Sequence, residues 1–144
     1  MNIKKVILSK ISNIIEIKSI ETRKIDSQLD KLASLIAKSP AIVHFYPTND
    51  EKLNIDFAQK LRQLTSIFNS YFVVVNRLDI AKIAESDGVL FNKDGYNYKY
   101  FDKFFHDDKF IAYDFQHAQC NLDIKNFDYV INSSAVETFN IIEL

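Results

Sequence analysis

Glycine and proline are scarce in this 144-residue chain, at two each, and cysteine occurs once. Phosphate-cradling loops use glycine to let the backbone approach the anion, so Gly88 and Gly95 cannot supply a P-loop or a G-x-G-x-x-G loop. The lone Cys120 excludes an internal disulfide framework and a thiolate metal cluster, which fits a reducing compartment. The three histidines, His44, His106 and His117, are too dispersed for zinc-ligand spacing. Neither sign of charge dominates. With 18 basic and 19 acidic residues the formal net charge is -1, which gives no electrostatic case for nucleic acid or an anionic membrane surface. No segment reaches the roughly 18 consecutive apolar residues of a membrane span. Lys10 interrupts the apolar N-terminal run before it attains the length of a secretion signal. The expectation from these absences is one cytoplasmic domain over residues 1–144, with no nucleic-acid and no membrane partner.

What the chain does contain is alternation of two hydrophobic periods. Ile25, Leu29, Leu32 and Ile36 recur at helical spacing, and Ser39-Pro40 stops the helix because the residue before proline is pushed into extended geometry. A strand follows at Ala41 to Tyr46. Thr48 and Glu51 have the spacing of a capping box ahead of a second helix marked by Phe57, Leu61, Leu64 and Phe68. Further strands are predicted at Phe72 to Val75, Val89 to Phe91, Phe110 to Tyr113 and Tyr129 to Ile131. An aromatic helix through Tyr98, Phe101, Phe104 and Phe105 and a short helix near Gln116 to Ile124 lie between the later ones. In the first two dozen residues, Val6-Ile7-Leu8 and Ile14-Ile15-Glu16-Ile17 both read as short strands, and one strand is expected there. Strands joined by helix-length connections are parallel.

The densest unit is Tyr71 to Phe91. An apolar run ends at Asn76-Arg77, Asp79 is placed to cap a one- or two-turn helix, and Asp87-Gly88 returns the chain to the next apolar run. Polar residues just past the strands of such folds face the binding side, which makes Asn76, Lys93 and Asp94 one candidate group. Lysine could pair with a phosphate oriented by Asn76, or Lys93 and Asp94 could form a solvated loop pair. His44 alternates onto the face of Tyr46, where it is either an acid-base group or a hydrogen-bonded structural residue. His117 stands in the loop after a strand, as a ligand contact or as an ordinary surface histidine.

The block Val75-Asn76, Arg77-Leu-Asp79-Ile-Ala81 and Ser86-Asp87-Gly88-Val-Leu-Phe91 resembles the thiamine-phosphate synthase family and its thiazole tautomerase (TenI) relatives. Their pattern is a strand ending in Asn-Asp, then Arg-x-Asp-Leu-Ala and Ala-Asp-Gly-Val-His-Leu. Ile42 to Tyr46 looks like the family's second strand, and Phe127-Asp128-Tyr129-Val130 like its sixth, so the likeness spans roughly residues 40 to 135. It implies an α/β fold, a parallel-stranded β/α barrel of the TIM type, truncated to about six strands because the chain ends at Leu144, before a seventh and eighth.

The same resemblance implies a protein of thiamin biosynthesis that binds or acts on a thiazole phosphate, as a transferase or a tautomerase-like isomerase, with a degenerate site. Where the family holds diphosphate with Gln-x-Arg-x-Lys, this chain has His44-Phe-Tyr46-Pro-Thr48. Its strand-three aspartate is matched by Asn76, and its later acidic ligand falls at Gly95, beside Asp94. Asp94 is therefore the one candidate ligand for magnesium, an ion that requires oxygen ligands. Its glycine-rich phosphate segment is matched by Asn132, Ser133 and Ser134, which keep hydroxyls. The implied roles are proton transfer by His44 or His117 and binding of a small phosphorylated heterocycle by Asn76, Lys93, Ser133 and Ser134. The competing expectation is a non-catalytic remnant that serves as an interaction or regulatory partner, with a homo-oligomer completing the barrel.

Overall fold

The structure is a computed structural model that describes residues 3–92, 108–115, 124–133 and 139–144. The chain opens with helix α1 (Ile3–Ser9) and strand β1 (Asn13–Ile17), then alternates α2 (Ile25–Lys38), β2 (Ala41–Phe45), α3 (Glu51–Ile67), β3 (Tyr71–Val75), α4 (Leu78–Ile83) and β4 (Gly88–Phe91). Strands β5 (Phe110–Asp114), β6 (Tyr129–Ile131) and β7 (Asn140–Glu143) follow. Of the two N-terminal apolar runs, Val6-Ile7-Leu8 falls in the helix and Ile14 to Ile17 in the strand. The aromatic segment from Tyr96 to Phe105 lies outside the described residues. So does the helix expected near Gln116, except for a 3-10 turn at Ile124–Asn126.

Seven parallel strands form one sheet in the order β6-β5-β4-β3-β2-β1-β7. The barrel-like α/β fold expected from the sequence is present, with seven strands rather than about six. The added strand, β7, is four residues long, half-exposed, and pairs with β1. So short an element, supported on one side only, carries no periodicity by which to find it. Strands β1 to β6 bury nearly every residue on both faces, as parallel strands covered by helices on one side and a barrel interior on the other must.

The curvature follows from a single contact. In the sheet order, β2 and β6 are four strands apart, which in a flat sheet would separate them by about 19 Å. Yet His44 Nε2 of β2 lies 2.7 Å from the Tyr129 hydroxyl of β6. The sheet therefore curls until side chains of its inner face meet. Inside it, Ile14, Ile42, Val73, Leu90, Phe110 and Ala112 form one apolar cluster. A second, larger cluster lies outside, where Val43, Phe45, Phe72 and Val74 meet Leu32, Phe57 and Leu61 of the helices.

Two helix starts differ from expectation. Helix α3 is capped by Asp50, whose carboxylate accepts from the Leu53 amide at 3.1 Å, and not by Thr48. Thr48 stands two residues too early, and its hydroxyl donates to Oδ1 of the buried Asn54 side chain at 3.0 Å. Helix α4 begins at Leu78, so Asp79 lies inside its first turn and not at the cap position, which Arg77 occupies without a side-chain cap bond. Asp79 instead pairs with Arg77, whose guanidinium also grips Glu51 at 2.9 and 2.7 Å and ties α4 to the start of α3.

Aspartates repeat one device beneath the sheet. The Asp87 amide donates to the Phe72 carbonyl at 2.7 Å while its carboxylate accepts from the Phe72 amide at 2.7 Å. Asp128 does the same to Ile111, at 2.7 and 2.8 Å. Each aspartate thereby sets the register of the strand that follows it, and a cation covers each: Arg62 on Asp87 at 3.0 Å and Lys4 on Asp128 at 3.2 Å. After Asp87, a Cβ on Gly88 would sit 2.2 Å from the Phe110 carbonyl oxygen. Because that obstacle is backbone, Gly88→Ala must push β4 from β5. We expect a loss of about 1–3 kcal/mol or more in urea unfolding; wild-type stability in the variant would show that the strands can part freely.

Candidate functional site

Because every strand is parallel, their carboxyl ends share one mouth. Glu16 and Lys18 come from β1, Tyr46 from β2, Asn76 from β3, Asn92 from β4, Asp114 from β5, Asn132 and Ser133 from β6, and Glu143 from β7. Asn76 and Asn132 leave their strands in the left-handed region, at φ 63 and 56, which asparagine tolerates better than most residues. Asn76 exchanges side-chain bonds with Asn92: its carbonyl accepts the Asn92 amide at 3.1 Å and its own amide donates to the Asn92 side-chain oxygen. Asn132 donates to Asp114 at 2.9 Å. The same chemistry thus laces β3 to β4 and β5 to β6.

Beneath the mouth lies a buried polar chain. Glu16 and His44 are register partners on neighbouring strands, so both point inward. His44 has no exposed surface. Its Nδ1 faces Glu16 Oε2 at 3.8 Å, beyond hydrogen-bond distance but close enough for the carboxylate to favour a proton on that nitrogen. Nε2 then accepts from Tyr129. The Tyr46 hydroxyl also donates to Glu16 Oε2. Burial pushes the Glu16 carboxyl up, but the His44 and Tyr46 contacts and the Lys18 charge outweigh it and hold the group below the ordinary value of 4.5. Burial, then the Glu16 carboxylate, raises the Tyr46 phenol far above its usual range. Burial raises Tyr129 likewise, aided by Asp128, Glu16 and Asp87. Both phenols stay protonated and donate.

Above this chain, Lys18 extends toward solvent, 2.9 Å from Glu143, 3.9 Å from Glu16 and 5.6 Å from the centre of the Tyr46 ring. Its bond to Glu143 raises its pKa despite some burial. Among the described residues no three acidic, histidine or cysteine side chains are placed to hold a metal. The mouth carboxylates already have internal donors, Tyr46 for Glu16, Lys18 for Glu143 and Asn132 for Asp114, a poor fit for magnesium.

Of the residues singled out from sequence, His44 is sealed inside the barrel, Asn76 is half-buried at the mouth, and Ser133 is buried at the end of β6. Lys93, Asp94, His117 and Ser134 lie outside the described residues. Glu16, Lys18, Asp114, Tyr129 and Glu143 were not singled out. Glu16 had a visible signal, a carboxylate within the apolar run Ile14 to Ile17. Tyr129 had none, since its role depends on a strand far away in sequence.

No known protein family and no curated protein matches the chain. Among solved structures it is similar to a thiamine phosphate pyrophosphorylase from Pyrococcus furiosus, with a TM-score of 0.60 and 17% identity. The likeness covers 74% of this chain and 52% of that one, so the chain spans about half the length of that enzyme. At this identity the match shows the fold, a TIM-barrel-like α/β architecture.

Two outcomes test the buried chain. Tyr129→Phe leaves His44 Nε2 without its donor and should cost about 1–3 kcal/mol. With His44→Phe added, the combined loss should fall short of the sum of the single losses by about 0.5 kcal/mol or more in a double-mutant cycle; strict additivity would deny the coupling. The second concerns acid. A carboxylate whose pKa is lowered on folding stabilises the native state above its unfolded value and loses that contribution as pH falls through the folded value. The pH dependence of wild-type stability should therefore exceed that of Glu16→Gln below about pH 4.5, and parallel acid limbs in urea unfolding would contradict it.

Proposed function

We propose that the mouth at the carboxyl ends of the strands binds a small phosphorylated heterocycle, a thiazole phosphate, in a thiamin-related role, without the full synthase reaction. The observation that carries this reading is the barrel itself, similar to a thiamine phosphate pyrophosphorylase, with polar groups from all seven strands converging at the end where β/α barrels place their ligands. Asn76 and Ser133 stand at that end, and Lys93 and Ser134 come two and three residues after the last residues of β4 and β6 in sequence. Lys18, beside the Tyr46 ring, is a further cation there.

Binding is favoured over turnover by the state of the polar groups. His44 has its ring nitrogens directed at Tyr129 and Glu16 and no open surface through which to reach a ligand. The mouth carboxylates Glu16, Asp114 and Glu143 are engaged by internal donors, so a diphosphate with its magnesium would have to displace these donors. Proton transfer by His44 or His117 is the chemistry to test should turnover be detected.

Thermal unfolding with thiazole phosphate, aminopyrimidine diphosphate and magnesium, singly and together, checks the reading. Thiazole phosphate at 100 times its dissociation constant should stabilise the native state by about 2.7 kcal/mol. The absence of a shift with every compound would exclude it. A second reading has its own observation: β6 and β7 are the two edges of the sheet and do not pair with each other among the described residues. An unpaired, half-exposed edge such as β7 invites strand pairing between copies, the interaction or regulatory partner expected above. Dimers that form without ligand and unfold as they dissociate would favour it.

A further inference from the structure

The barrel has a second concave site, at the opposite end from the mouth. A cavity of about 510 Å³ lies beneath α1, lined by residues that precede their strands: Ile11 and Ser12 before β1, Phe127 and Asp128 before β6, and Phe139 before β7. It therefore sits at the amino-terminal end, where the two sheet edges face each other. Its volume is within the range of small-molecule sites, about 300–1,000 Å³.

Three aromatic residues line it. Tyr129 and Phe139 meet with ring centres 5.6 Å apart, and Phe127, whose ring packs on Tyr113 at 5.1 Å, adds a third apolar surface. The polar groups are Lys5, Ser9, Ser12 and Asp128. Asp128 is already neutralised by Lys4 and bonded to the Ile111 amide. Ser9 donates to the Val6 carbonyl and so offers an acceptor. Lys5 has no ion pair or hydrogen bond among the described residues. One uncommitted ammonium beside an aromatic wall selects one kind of molecule. The roof suits entry, because α1 buries none of its residues completely and is flanked on its other side by a smaller cavity of about 260 Å³ at Pro40, Asn69 and Tyr71.

We propose that this cavity binds a small planar aromatic anion, with its ring against Phe127, Tyr129 and Phe139 and its acidic group paired with Lys5. The site is separate from the mouth and does not depend on the thiazole phosphate reading. The probe is anilinonaphthalene sulfonate, compared with neutral phenylnaphthylamine on the intact folded chain. The sulfonate should bind saturably at one site. Lys5→Gln, an exposed substitution, should weaken the sulfonate about threefold to fivefold, the range of a partly exposed ion pair, and leave the neutral dye unchanged. Ser12→Trp, at the exposed rim, should block both dyes by about tenfold or more. Saturating thiazole phosphate should leave the sulfonate titration unchanged. The proposal is overturned by unsaturable or multi-site dye binding, by dye affinity that survives Ser12→Trp, by a Lys5→Gln effect equal for both dyes, or by displacement with thiazole phosphate.

Discussion

The hydrogen bond between His44 and Tyr129 is the constraint on which the interior depends. It joins strands that the sheet order keeps four positions apart, so it can form only if the sheet is curled, and its position fixes how far. The surrounding apolar residues, Ile42, Val73, Leu90 and Phe110 among them, supply the non-directional part of the closure. They do not by themselves specify which strand faces which. The bond between a buried imidazole and a phenol adds a directional contact, because parting the two strands would leave His44 Nε2 and the Tyr129 hydroxyl both without a partner in an apolar interior. Glu16 then connects this brace, through Tyr46 and Lys18, to the polar mouth.

The scarcity of glycine shapes the rest of the backbone. Asn69, Asn76, Asn132 and Glu85 all have left-handed backbone, a conformation that costs most non-glycine residues about 1–2 kcal/mol. At Asn76 and Asn132 the cost is offset by side-chain bonds to the neighbouring strand end, so the same residue turns the chain and holds the turn in place. Gly88 is kept where no side chain fits at all. At these two strand ends the turn is held by side-chain bonds and needs no glycine.

The residues that look most familiar in the sequence are scaffold. Asp87 and Asp128, within the segments resembling the thiamine-phosphate synthase family, each exchange two hydrogen bonds with the backbone of the preceding strand. Arg77 and Asp79 tie α4 to α3. Asp87 and Asp128 precede their strands and so stand at the end opposite the mouth. The work these four side chains do in this structure is strand register and helix docking.

Helical and strand periods in residues 25 to 91 were enough to place α2, β2, α3, β3 and β4 nearly to the residue, because those elements bury a continuous apolar stripe or run that local spacing reveals. The parallel α/β class followed from their alternation. Asn76 at a strand end was likewise readable, since strand ends are defined locally. The cap at Asp50, the first-turn position of Asp79, the seventh strand, the pairing of Glu16 with His44 and the cavity under α1 were not. Each depends on which segments become neighbours after folding: His44 meets Tyr129 across 85 positions of sequence, and β7 finds β1 across more than a hundred. Periodicity records which face of an element is apolar. It carries no record of what that face will touch, and so the barrel was legible in the order of residues while its polar interior arose only when the sheet curled.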